Sequence, residues 1–170
     1  MQDMPENLDR VARIRRAWAT ELPDVDTSAM AVIGRLHRLA RHLTEQLVLV
    51  YRQHGLGEGE FDVLATLRRA GTPYERAPGE LAAHTMVTTG AMTKRLDRLE
   101  RDGLVTRRAS SNDGRGRVVA LTEPGRELIE RVFAEHMRNE RRLLDELSAD
   151  DARDLEAILA RWLARFERPE

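Results

Sequence analysis

The sequence predicts a mainly α-helical chain carrying one small β-hairpin. Apolar residues recur at spacings of three and four over residues 8–22, 32–50 and 126–166, the period of amphipathic helices. Two short β-branched runs flank an Asn-Asp-Gly turn, and two short helical patterns separated by a few residues precede them. The chain has 170 residues, 41% of them hydrophobic, which suits one medium domain with helical extensions. It contains no cysteine, which excludes disulfides, thiolate zinc sites, iron–sulfur clusters and a cysteine nucleophile. The longest aliphatic run, Leu47-Val48-Leu49-Val50, falls far short of the roughly 20 residues that span a bilayer. Residues 1–10 are polar and acidic without an apolar signal core, so a cytoplasmic protein without a membrane partner is expected.

Taken in order, Leu8, Val11, Ile14, Trp18 and Leu22 form one stripe on a helix expected over residues 5–21 and ended by Pro23. Thr27 or Ser28 caps a second helix, whose stripe of Val32, Leu36, Leu39, Leu43, Leu47 and Val50 runs to about His54. Gly55, Gly57 and Gly59 then break the chain. Phe61, Leu64 and Leu67 mark a short helix ending near Gly71, and residues 72–77 read as a loop. Pro78 opens a further short helix to Met86. Thr88 caps the next, where Met92, Leu96 and Leu99 share one face and Gly103 supplies the stop. Residues 104–107 and 117–121 read as strands around a glycine-rich turn. Thr122 caps a long helix to about Leu147, and Ser148 starts a last one through Phe166.

Charge is segregated along this layout. The chain holds 28 Lys+Arg against 29 Asp+Glu, yet residues 91–117 carry eight bases and four acids. Residues 123–170 carry nine arginines and thirteen acids in alternating order, as on a solvated helical surface. The basic island attracts nucleic acid and the acidic tail repels it. Opposite Met92, Leu96 and Leu99 the helix presents small, hydroxylated and basic residues. Thr88, Thr89, Thr93, Lys94 and Arg98 are the types that reach phosphates and base edges from a helix in the major groove. Arg115, at a glycine-flanked hairpin tip, suits a narrow minor groove. Asp113 can hold the loop or orient the Arg115 guanidinium, and Arg117 at the strand base can contact phosphate. A winged helix-turn-helix on double-stranded DNA is the resulting expectation.

The run Gly90-Ala91-Met92-Thr93-Lys94-Arg95-Leu96-Asp97-Arg98-Leu99-Glu100, followed by Gly103-Leu104-Val105, Asp113-Gly114-Arg115, Val119-Ala120-Leu121-Thr122 and Gly125, closely resembles winged-helix repressors of the MarR family. The resemblance covers about residues 28–168. It implies a homodimer interlocked through its N- and C-terminal helices, a pseudo-palindromic operator, and release of DNA by a small ligand. The corresponding division is an extra N-terminal helix (1–27), a dimerisation helix (28–55), the winged helix-turn-helix (56–122) and C-terminal dimerisation helices (123–170). The apolar stripes independently ask for a helical partner.

A tryptophan-bearing helix ahead of the dimerisation helix resembles the urate-responsive, HucR/PecS-like branch. The resemblance implies that Trp18, Asp62, Arg95 and Arg107 bind the ligand. The chemistry agrees: a flat, weakly acidic purine or phenolate needs an aromatic face, a cation for its anionic edge and a carboxylate for its N–H or O–H groups. Arg95 lies at the flank of the buried arc, from which it can point into the lobe junction instead of toward DNA. Asp62 is expected to pair with Arg107 or Arg95, and a ligand anion on Arg95 to repel Asp62 and shift the helix. The effector is therefore expected to be urate or a xanthine-like small aromatic anion, with a phenolic acid as the alternative. No cofactor, catalytic residue or metal site is expected: His37, His42, His54, His84 and His136 show no ligand spacing, and no phosphate loop or nucleophile elbow is present. A helical interaction module would explain the stripes but not the basic hairpin.

Overall fold

The computed structural model describes residues 8–85, 89–109 and 117–167. It contains helices α1 (Arg10–Glu21), α2 (Met30–Gln53), α3 (Glu58–Arg69), α4 (Pro78–His84), α5 (Thr89–Arg101), α6 (Glu123–Leu144) and α7 (Ala149–Leu163). Strands β1 (Glu75–Arg76), β2 (Val105–Ala109) and β3 (Arg117–Leu121) form an antiparallel sheet in the order β1-β3-β2. The chain forms two compact units, Met1–Gln46 and Leu47–Glu170, divided within α2.

In the first unit, α1 starts at Arg10, after residues 8 and 9, and residues 5–7 of the expected helix lie outside the described residues. Asp9 caps it, its carboxylate accepting from the Ala12 N–H at 2.9 Å. Arg35 of α2 pairs with the same carboxylate at 2.8 Å. Only Val11 of the α1 stripe is buried, whereas Ile14, Trp18 and Leu22 are exposed, as are Val32, Ile33, Leu39 and Leu43 of α2.

The second unit is built around α3. Val63, Leu64 and Leu67 are fully buried there with Leu81 of α4, Met92, Leu96 and Leu99 of α5, Val105 and Val119 of the sheet, and Ile129 and Val132 of α6. Each short element contributes one apolar stripe, so the core forms only when all of them meet. Two helices start without a side-chain acceptor at the cap. In both, the third-position glutamate reaches back instead: Glu60 accepts from Gly57 N–H at 2.9 Å and Glu80 from Ala77 N–H at 3.2 Å. Gly103, at φ 72°, ends α5 in the left-handed region.

The loop expected over residues 72–77 contains β1, which pairs Glu75 with Ala120 and Arg76 with Val119. Two residues are too few to show alternation, so only pairing with β3 reveals the strand. The expected hairpin is present in β2 and β3, with Val105 opposite Leu121 and Ala109 opposite Arg117. Helix α6 ends at Leu144, three residues earlier than expected, and Asp145 caps it.

Candidate DNA interface and effector site

Helix α5 turns Met92, Leu96 and Leu99 into the core and leaves Thr93 and Lys94 on its exposed side. Thr89 opens the helix. Arg117 is exposed at the start of β3. Thr88, Asp113 and Arg115, also expected at DNA, lie outside the described residues.

Arg98 has a second role that sequence reasoning missed. Its Nη2 donates to the Gly55 carbonyl at 3.0 Å, and its Nη1 lies 3.5 Å from the Glu60 carboxylate. It therefore fastens α5 to the turn that starts α3, while its side chain stays about half exposed. The Gly-x-Gly-x-Gly pattern at residues 55–59 marks this turn in the sequence, but nothing local shows that an arginine forty residues later binds it.

Arg107 does not pair with Asp62 as expected. Its guanidinium bonds Asp97 and, at 2.9 Å, Glu100, and its backbone N–H donates to Glu100 at 3.1 Å. Strand β2 is thereby tied to α5 rather than to α3. Asp97 above all, with Glu100, holds the Arg107 guanidinium above its ordinary range. The reason is positional: Asp97 and Glu100 are three residues apart on the α5 flank that faces β2, so they meet Arg107 first. Arg108 similarly joins β2 to Glu75 of β1.

Asp62 sits half-buried on α3. Burial raises its carboxyl above the usual carboxylate range and the Glu58 charge adds to this, while Arg95 and Arg69 oppose it. Asp62 and Arg95 feel one another's charge without an ion pair or a hydrogen bond between them among the described residues. The Arg95 guanidinium instead lies against Gly59: an added Cβ there would fall 2.1 Å from Arg95 Cζ. Beside Asp62, Tyr51 stacks on Phe61 at 4.1 Å between ring centroids, and the Tyr51 hydroxyl shares a hydrogen bond of 3.1 Å with His136 Nδ1. His136 Nε2 lies 3.2 Å from the Glu140 carboxylate, and burial pushes the Tyr51 hydroxyl upward in pKa. Sequence reasoning missed this aromatic–histidine group, because its members come from α2, α3 and α6. Trp18, in the first unit, is 44% exposed and lines an apolar hollow with Leu22, Val25, Thr27 and Met30.

Helices α4 and α5 followed by the β2–β3 pair, with a basic exposed face on α5, define a winged helix-turn-helix transcriptional regulator. Comparison with known proteins agrees. Residues 54–116 match the MarR family. The HTH-type transcriptional regulator PecS of Dickeya dadantii (strain 3937) is 39% identical over 151 residues, covering 89% of this chain and 91% of its own length. A mutant MarR from E. coli complexed with operator DNA superimposes with a TM-score of 0.67 at 28% identity, over 86% of this chain and 97% of that one. The MarR family protein Rv2887 of Mycobacterium tuberculosis, in complex with p-aminosalicylic acid, gives a TM-score of 0.61 at 30% identity, over 77% and 97%. The chain belongs to the MarR family. It is a DNA-binding transcriptional regulator and not an enzyme.

Proposed function

We propose that the chain is a cytoplasmic, homodimeric repressor that leaves a pseudo-palindromic operator when urate or a related small aromatic anion binds. The observation that carries the effector reading is Arg95. Its guanidinium is partly withdrawn from water, engages no hydrogen bond or ion pair among the described residues, and lies near a carboxyl already destabilised by burial. A partly desolvated cation of this kind favours an anion, and Asp62 can accept the ligand's N–H. A second negative charge beside Asp62 raises the cost of keeping it ionised. The site must then rearrange or expel the ligand, and release follows only where the rearranged form binds ligand better than the DNA-binding form does.

On the DNA side, Thr93 and Lys94 face the major groove, with Thr88, Thr89 and Arg98 at its edges. Arg115, oriented by Asp113, enters the minor groove, and Arg117 holds a phosphate. The exposed apolar faces of α1, α2, α6 and α7 support assembly with a second copy, which sets two lobes about one helical turn apart. Trp18 supplies the aromatic face for the ligand in this reading, and Arg107, tied to Asp97 and Glu100, relays movement between the wing and α5. A second reading is an aromatic acid as effector. The Rv2887 complex favours it, because its ligand has the same flat anionic character.

The test is tryptophan fluorescence titrated with urate, xanthine and salicylate, run beside mobility shifts on promoter DNA. Trp162 also emits, so Trp18→Phe serves as the control. Saturable quenching by urate that disappears in Trp18→Phe and parallels DNA release is expected. Release by salicylate alone replaces urate with the aromatic acid, and DNA binding indifferent to all three ligands removes the effector reading.

A further inference from the structure

Gly59 stands where a glycine has no backbone reason to be. It is the second residue of α3, is buried, and does not lie in the left-handed region, so alanine would serve the helix better. What an alanine would meet there is the Arg95 side chain. A Cβ at Gly59 would fall 2.1 Å from Arg95 Cζ, 2.2 Å from Nε and 2.6 Å from Nη2, which places the guanidinium against the bare α3 backbone. Asp62 follows three residues later on the same face of α3. Arg98, one turn beyond Arg95 on α5, is held by hydrogen bonding to Gly55, so α5 lays two arginines across one glycine turn. The two seats differ. Arg98 is bonded, whereas Arg95 is held by shape and keeps its donors for another partner.

We propose that Gly59 is the positioning residue of the effector site, its missing side chain forming the slot that seats the Arg95 guanidinium on α3 beside Asp62. The inference rests on the reading of Arg95 and Asp62 as effector-binding groups. The slot also limits the effector, because α3 closes one side of the guanidinium and leaves the ligand the side away from Gly59. In Gly59→Ala the clash falls on the end of a flexible side chain, so the protein folds and Arg95 swings away.

The experiment is a double-mutant cycle on the full chain, with wild type, Gly59→Ala, Arg95→Ala and the double variant. The Asp62 carboxyl is followed by carbon NMR as pH is varied. Arg95 opposes the effect of burial and of Glu58 on Asp62, so displacing it moves the Asp62 midpoint upward, while Arg69 and His136 act equally in all four proteins. Gly59→Ala and Arg95→Ala are each expected to raise the midpoint, and the double variant to rise no further than Arg95→Ala. An unmoved midpoint in Gly59→Ala, or a full added shift in the double variant, overturns the slot and leaves Gly59 a helix-packing residue. In parallel, half-release of DNA from Gly59→Ala should need at least tenfold more urate, with operator affinity in the absence of urate changed less than twofold. A wild type that ignores urate removes the effector reading, and the Asp62 titration then decides the slot alone.

Discussion

Burial and Glu58 disfavour the charged form of Asp62, which predicts an effect on stability in the absence of any ligand. Its carboxyl is raised in the folded protein by burial and by Glu58 above the ordinary value of 3.8. A carboxyl raised on folding contributes stability that is fully present below its unfolded pKa and is lost as pH rises through the folded one. At neutral pH the ionised Asp62 is therefore a liability. Asp62→Asn should raise Tm by a few degrees at pH 7, and the gain should fade as the pH is lowered past about 4. Thermal melts at both pH values check this, and a lower Tm for the variant at pH 7 contradicts it. A carboxyl whose surroundings disfavour its charged form is the kind that clusters at binding sites.

At the scale of elements, the wing is anchored by the first turn of α6. The Thr122 hydroxyl accepts from Gly125 N–H at 3.1 Å and donates to the Gly103 carbonyl at 2.7 Å, joining the end of α5 to the start of α6. Gly125 comes so close to Leu104, the residue just ahead of strand β2, that a Cβ would lie 1.9 Å from its carbonyl oxygen. Backbone cannot swing aside as the Arg95 side chain can. Gly125→Ala should therefore destabilise by about 1–3 kcal/mol through overpacking, against about 1 kcal/mol for loss of the cap in Thr122→Ala. Urea unfolding of the two variants should rank them in that order. Equal effects would mean that α6 moves away from the wing without cost.

For the whole molecule, the exposed apolar surface matters most. Phe133 and Met137 on α6, and Ile158, Leu159 and Leu163 on α7, are each 40% exposed or more. Full burial of such a side chain contributes about 1.5–3 kcal/mol, so covering several at once is a strong drive to assemble. Under the homodimer reading, wild type should sediment at twice the chain mass of 19.4 kDa, and Leu163→Arg should shift it toward monomer. Because two lobes on one operator bind with a high effective concentration, operator affinity should fall with it by about 10²-fold or more. Sedimentation velocity beside mobility shifts tests both, and a wild-type monomer with full operator affinity contradicts the reading.

The helices, the hairpin, the buried face of α5 and its basic exposed side are all legible in the order of the residues. Each of these is written in local periodicity, caps and glycines: Met92, Leu96 and Leu99 can share a face only on a helix. It also carried the resemblance that the MarR family match bears out. Which side chains meet depends instead on packing. Arg107 turned to Asp97 and Glu100 instead of Asp62, Arg98 to Gly55, and Arg95 to the bare backbone of Gly59. A long arginine side chain can reach several partners, and spacing along the chain says nothing of which lies nearest. That choice follows from how α3, α5 and β2 pack around one core, and so does the two-residue strand β1, which exists only because β3 offers it an edge.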